Sequence, residues 1–308
     1  MSINTIEYAK IFMDALDCQL VAGATSGWME ANREQVQYSG GNEVKIPKMQ
    51  LSGLGNYNRD TGFVQGDVTV SYETKKMTQD RGRTFQLDAI DVDETNFAMV
   101  AGNVMGEFQR TRVIPEIDAY RYSTIASLAQ TAQHTSYYQP AKETIFEKLL
   151  EEITAIRDVV GDENEIVITM SAKTANLLDM AKGSQYVLES GTFEQGEATL
   201  QVKKIDGSPI IRVPSARLKT KYEFLDGVTE DETEGGYKAA DDAKNINWII
   251  AVRQGPIAVS KTDVTRIFDP MTNQTANAWK IDYRKHHDIW IPDNAMAGIW
   301  VSIDGQTP

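Results

Sequence analysis

Apolar and polar positions change period along this chain. In the first 35 or so residues, Ile6, Phe12, Met13 and Leu16 recur at near-helical spacing, followed by Cys18 and Leu20, which predicts an amphipathic helix. Gly23 and Gly27 then break the pattern and leave Trp28 on an otherwise polar stretch. The segment reads either as a helix packed on its own domain or as an arm draped over a neighbour, with an exposed Trp28 as its anchor. From about 40 to 90 a period of two takes over, predicting strands at 44–51, 64–72 and 83–90. Val68, Val70 and Tyr72 alternate with Asp67, Thr69, Ser71 and Glu73, and Phe85, Leu87 and Ala89 alternate with polar neighbours. Between the first two runs, SGLGNYNRDTG carries the residues of a wide, turn-rich tip. The expectation is a long hairpin with Pro47 inside one strand and at least one edge unpaired within the monomer. Such a hairpin needs a surface to lie on, in the same chain or, in the preferred reading, on another subunit.

Helical spacing returns with Phe97, Val100, Ala101, Val104, Met105 and Phe108, with Asp93 or Thr95 as cap. Gly102 and Gly106 weaken this helix but permit close backbone approach. Pro115 should kink or end it, and a second run, 115–132, carries Ile117, Tyr120, Ile125 and Leu128. Together the two would reach on the order of 50 Å, the length of a strut. Beyond 140 the pattern is α/β. A helix is predicted at 142–159, a buried strand at 166–170, and a Ser171-capped helix through Ala181 with Gly183 at its end. A second hairpin follows at 200–213 around Asp206-Gly207. After an acidic loop at 226–242 come strands at 248–252, 256–260, 264–268, 278–284 and 298–303. No internal repeat and no interdomain linker is visible.

Composition narrows the function classes. The chain has 308 residues and a formal net charge of -13, and no basic stripe of the kind that binds nucleic acid is visible. An acidic surface still suits a protein that encloses nucleic acid without adhering to it. No apolar run approaches the roughly 20 residues of a membrane span, and MSINTIEYAKIFMDALD lacks a signal-peptide pattern. The single cysteine, Cys18, excludes an internal disulfide framework and reads as a small, partly buried apolar residue.

Catalytic signatures are missing: no phosphate loop, no dinucleotide-binding glycine pattern and no zinc-binding histidine pair on a helix. GATSG at 23–27 has its serine in the wrong place for a nucleophile elbow. His286 and His287 are adjacent on a predicted strand and would face opposite sides, one packed and one solvated; His134 lies near a helix end. The acidic stretch TEDETEGG at 229–236 lacks the ligand spacing of a calcium loop and reads as a solvated insertion. Asp91, Asp93 and Glu94 at a helix start favour its dipole. No catalytic, cofactor-binding or metal-ligating residue is assigned, and the chain is not read as an enzyme.

Several blocks carry a resemblance. VIPEIDAYRYSTIAS at 113–127 resembles the end of a spine helix, and EIVITMSAKTANLLDMAKGSQYVLE at 165–189 a strand, capped helix and following loop. KIDGSPIIRVPSARL at 204–218 is similar to a glycine-proline hairpin, and WKIDYRKHHDIWIPDNAMAGIWVSI at 279–303 to a closing pair of strands. GATSGWME, GGNEVKIPK and TQDRGRTFQLDAIDVDETN also read like capsid proteins of phages from Gram-positive hosts. In this order they resemble the Hong Kong 97-type capsid fold of tailed-phage major capsid proteins and encapsulins.

That resemblance implies an α+β fold, with an N-terminal arm at 1–38 and an extended β-hairpin loop at 39–90. A peripheral domain with the spine helix would occupy 91–139 and an α/β axial domain 140–260. Strands at 261–308 would return to both domains. It implies a major capsid protein, in the virion and in the host cytoplasm during assembly. Hexamers and pentamers would form an icosahedral shell around double-stranded DNA, without sequence-specific binding and without a membrane. Partners would be other copies, a scaffolding protein, a portal and decoration proteins. Some relatives cross-link a lysine of the loop to a neighbour's asparagine, but no motif identifies such a pair among Lys45, Lys48, Lys75 and Lys76. The chain begins almost at the arm, which implies a separate scaffolding protein or removal of an earlier segment. Trp28, Tyr57, Arg59 and Phe63 are the candidate subunit contacts, because aromatic and Arg side chains in exposed turns suit anchors. The alternatives are an encapsulin-type shell protein and, remotely, a hydrolase using scattered carboxylates.

Overall fold

The computed structural model describes residues 23–38, 43–60, 62–88, 104–181, 188–195 and 198–306. The expected N-terminal helix, the start of the strut helix with its acidic residues, and Gly183 lie outside the described residues. A 3-10 helix (Gly27–Gln35) precedes β1 (Gln37–Tyr38), β2 (Glu43–Leu51), β3 (Val68–Lys76) and β4 (Gln79–Asp88). Helix α1 (Ile114–Thr131) is followed by β5 (Thr135–Tyr137), α2 (Ile145–Val160), β6 (Ile166–Ser171) and α3 (Ala172–Met180). Then come β7 (Glu189–Gln195), β8 (Ala198–Ile205), β9 (Ser208–Val213), β10 (Tyr222–Leu225) and β11 (Gly236–Ala239). The last strands are β12 (Ile246–Val252), β13 (Ile257–Phe268), β14 (Ala278–Trp290) and β15 (Ile299–Ile303).

Seven strands form a mixed sheet in the order β5-β15-β12-β6-β9-β8-β7. Its central strands β6 and β12 are buried almost throughout, the near-continuous apolar run expected of strands covered on both faces. Alternation divides their side chains. Val167, Ile249 and Ala251 pack toward Ile125, Ala126 and Ala129 of α1. Ile166, Ile168, Met170, Trp248 and Ile250 pack toward Ile145, Leu149 and Ile153 of α2 and Leu178 of α3. Helix α3 starts where its sequence predicts, with Ser171 Oγ accepting from Thr174 N–H at 3.1 Å. The β8–β9 turn puts Asp206 at φ 48° and Gly207 at φ 72°, the two left-handed residues that a tight hairpin requires.

A second sheet, β13-β14-β4, packs on the leading half of α1 through Ile281, Tyr283, Ile114 and Ile117. One helix thus bridges two sheets, as a strut would. It runs from 104 to 131, about 40 Å, and Pro115 does not end it. A π turn (Gln109–Val113) immediately precedes the α-helical segment. Widening the ladder there accommodates a ring that would crowd the carbonyl four residues earlier.

Two strand expectations are corrected. The runs at 256–260 and 264–268 are one strand, β13, whose pairing with β14 shifts register between Ser260 and Thr262. The irregularity disturbs the alternation that would have joined them. Strand β4 leaves the hairpin and pairs instead with β14, from Asp88↔Ala278 to Gln79↔His287.

Candidate assembly surface

Strands β2 and β3 pair from Glu43↔Lys76 to Leu51↔Val68, with β1 on the other edge of β2 and no further strand on β3 among the described residues. Paired residues share a face, so the register sorts every side chain. On one face, Val44 and Ile46 are buried at the root against Ile257, Val259 and Trp290. Further out that face turns polar with Lys48, Gln50, Thr69 and Ser71, and Lys48 Nζ reaches Asp293 at 2.8 Å. The opposite face carries Pro47, Met49, Leu51, Val68, Val70 and Tyr72, all exposed. The apolar side of the hairpin therefore switches between root and shaft, and along the shaft it faces away from the chain's own body. Of the thirteen exposed large hydrophobics among the described residues, nine lie between Met49 and Tyr72. That concentration is a clustered apolar patch and not scattered surface apolarity.

The tip brings three of the four candidate contacts together. Tyr57 and Phe63 stack edge to face with centroids 4.9 Å apart. Asn58 and Gly62 exchange backbone hydrogen bonds at 3.1 and 2.8 Å, and Gly62 adopts φ 83°, where a side chain would be strained. Arg59 projects from the same turn, and Phe63 is 90% exposed.

Trp28 is the fourth candidate, and it lies elsewhere. It is 2% exposed, packed in the core with Met29, Tyr122 and Val213, so it is no surface anchor in this chain. A polar clamp that the sequence reading missed holds its segment down. Asp118, fully buried on α1, accepts from the N–H and hydroxyl of both Thr25 and Ser26 and from Arg217. Arg121, one turn on and also fully buried, donates to the Ser26 carbonyl and to Glu30. Burial pushes the Glu30 carboxyl up, but Arg121 and Lys285 outweigh it and hold the group below the usual carboxylate range. Asn32 then donates to the Arg253 and Pro256 carbonyls at 2.7 and 2.8 Å. An Asp–Arg pair at i, i+3 inside the apolar stripe of a helix was the available signal.

The titratable groups serve structure. His134 Nδ1 lies 2.9 Å from the Met296 carbonyl. His286 and His287 are both buried, at 5% and 4% exposure, which corrects the expectation that one is solvated: β14 is the middle strand of its sheet and is covered on both sides. Burial, with Arg121 and Lys285 nearby, holds His287 well below the ordinary histidine pKa. Burial raises the Glu152 carboxyl, which accepts from Ser136 Oγ and Trp248 Nε1 at 2.6 and 2.7 Å. In the acidic insertion, Asp226 accepts from the Thr229 hydroxyl and the Thr229 and Val228 N–H groups, which lower it to about 2. No group of three or more potential metal ligands occurs among the described residues.

No protein-family model and no curated protein matches the chain. Solved structures do. A chain from Gordonia phage Cozz aligns with a TM-score of 0.55 at 15% identity, over 87% of this chain and 82% of its own. A chain in the asymmetric unit of the bacteriophage PhiM1 mature capsid gives 0.54 at 12% identity, over 87% and 83%. The fold is that of a tailed-phage major capsid protein. The capsid structure of the cyanophage P-SCSP1u adds a third likeness, 0.53 at 10% identity over 88% and 86%. The mixed helix and strand architecture described above is that of the Hong Kong 97-like capsid fold.

Proposed function

We propose that this chain is the major capsid protein of a tailed phage or prophage, a structural protein without catalytic work. Copies assemble as hexamers and pentamers into an icosahedral shell around double-stranded DNA, in the virion and earlier in the host cytoplasm. The observation that carries this reading is the pairing of a capsid fold with a hairpin whose apolar face is turned from its own body. Leaving Met49, Leu51, Val68, Val70 and Tyr72 in water forgoes about 25 cal/mol per Å² of apolar surface, and a neighbouring copy recovers it. In this scheme 1–38 acts as arm, 39–90 as extended loop, 91–139 as peripheral domain and 140–260 as axial domain, with 261–308 returning to both. The formal charge of -13 suits a wall that encloses DNA without binding it tightly. A scaffolding protein, a portal and decoration proteins complete the set of partners.

The test is negative-stain microscopy with light scattering on the chain alone and with a candidate scaffolding protein. Closed shells or capsomer rings are expected. A chain that stays monodisperse and monomeric in every condition overturns the reading.

A further inference from the structure

The acidic β10–β11 turn, so far only a surface insertion, encloses a cavity of about 410 Å³ together with β4, β14 and the helical turns leading into α1. That is a size that takes one small molecule. Its floor is aromatic: Phe108 stacks edge to face on Phe85 and Tyr283, with centroids 4.9 and 6.0 Å apart. Its walls are charged, and most of those charges are already answered. Arg81 pairs with Glu116 and donates to the Leu225 and Gly236 carbonyls at 2.9 and 3.0 Å. Asp80 pairs with Arg284, Lys285 pairs with Asp263, and Asp226 accepts within its own turn. Arg83, Arg112 and Glu234 differ. All three are exposed lining residues, and none has an ion-pair partner among the described residues.

Both arginines are placed by unusual backbone. Arg112 belongs to the π turn before α1, an irregularity that recurs at functional sites. Arg83 donates to the Thr233 carbonyl at 3.4 Å and lies against the neck of the β10–β11 turn. There Gly227 and Gly235 adopt φ 76° and 65°, and a Cβ on them would come within 3.0 and 3.4 Å of Arg83 Nη1. A side chain at Gly227 would push the guanidinium aside. Two unanswered guanidiniums outweigh the single carboxylate of Glu234, so the charge left over is positive. A guanidinium binds a carboxylate, sulfonate or phosphate through parallel N–H donors, and an aromatic floor takes a planar ring by stacking. We propose that this cavity binds a small aromatic anion, with its ring on Phe108 and Phe85 and its anionic group on Arg83 and Arg112. Glu234 accepts from an N–H or amino group on the ring. Bound there, the ligand ties the acidic turn to β4 and to the helix. The site is complete within one chain and does not depend on the shell reading.

Fluorescence titration with anilinonaphthalene sulfonate, itself an aromatic anion, tests this on the full chain below its assembly concentration, with folding followed by circular dichroism. One probe is expected to bind per chain at this site. Replacing both exposed arginines, Arg83→Ala with Arg112→Ala, should weaken that binding about tenfold. Phe108→Leu keeps an apolar side chain but removes the ring, and should weaken it severalfold. The exposed face of the hairpin also attracts such a probe, so Val70→Asp is the control and should leave the binding at this site in place. Indole acetate and adenosine monophosphate then compete against the probe and tell a carboxylate from a phosphate source. Displacement by either one, or by both, supports the site and names its ligand chemistry. Displacement by neither overturns it. So does binding that survives the arginine and Phe108 variants unchanged, or that Val70→Asp alone abolishes.

Discussion

Asp118 Oδ1 accepts two hydrogen bonds from Ser26, one from its backbone N–H at 3.0 Å and one from its hydroxyl at 2.7 Å. The other carboxylate oxygen takes the Thr25 pair and Arg217. A fully buried carboxylate with this many donors is satisfied, but removing it strands the Thr25, Ser26 and Arg217 donors together. Asp118→Ala is therefore expected to lower unfolding stability by about 3–5 kcal/mol, read from urea denaturation of the unassembled chain. Asp118→Asn should recover only part of this, because its amide turns a donor toward donors. A loss under about 1 kcal/mol for the alanine variant would show that the clamp does not hold the segment.

Trp28 separates a core role from a contact role. With the ring packed among Met29, Tyr122 and Val213, Trp28→Ala should cost the isolated chain about 3–5 kcal/mol. Its Nε1 has no hydrogen-bond partner among the described residues, so Trp28→Phe forfeits no hydrogen bond and should cost less. The check is chemical denaturation below the assembly concentration. An interface anchor would instead leave monomer stability unchanged and abolish assembly.

What was legible in the chain was what local pattern encodes. The α2 stripe, the Ser171 cap, the Asp206-Gly207 turn and the alternation around Val68, Val70 and Tyr72 each depend on neighbours a few residues away. Trp28 was misjudged because its segment is held down by Asp118, 92 positions beyond Ser26. Strand β4 was grouped with the hairpin because its partner β14 lies about 200 residues away. The tip carries its aromatic and charged residues in one turn, so local sequence already groups three of the four candidate contacts there. The apolar face of the shaft needed the register: Met49 stands beside Val70 only once Glu43 is known to pair with Lys76. The junction of Arg81 with Glu116 and Gly236 was invisible for the same reason, since they meet only in three dimensions.

His287 makes a pH prediction. Burial first, then the positive charges of Arg121, Lys285, His286 and Arg81, depress its pKa well below 6.5. The unfolded chain binds this proton near pH 6.5, and the folded chain only at lower pH. The stability is thus fully present above pH 6.5 and falls as pH drops toward the folded pKa, by at most about 1.4 kcal/mol per pH unit. Comparing the parent with His287→Gln isolates the effect, because the carboxylates titrate alike in both. The parent should lose stability more steeply between pH 6.5 and 5, measured by denaturant midpoints. Parallel curves would mean that His287 carries a proton in the folded state as easily as in the unfolded one.

The switch of the hairpin's apolar face gives the sharpest contrast between two adjacent residues. Val70 and Thr69 are neighbours on β3, both exposed in the monomer, yet they point to opposite faces. Val70 lies beside Met49 on the apolar face, and Thr69 beside Gln50 on the polar one. Neither contributes to the chain's own core, so Val70→Asp and Thr69→Asp should each change monomer stability by no more than about 0.5 kcal/mol. Their effects on assembly should differ. A carboxylate at 70 must be desolvated when a neighbour covers that face, which costs several kcal/mol unless it finds a partner; one at 69 stays in water. Val70→Asp should abolish shells in light scattering and negative-stain images, and Thr69→Asp should leave them. Equal loss from both would place the neighbour on the edge of β3, where backbone pairing is indifferent to which face a side chain occupies. Loss from Thr69→Asp alone would put the neighbour on the polar face, with the apolar one left to another partner.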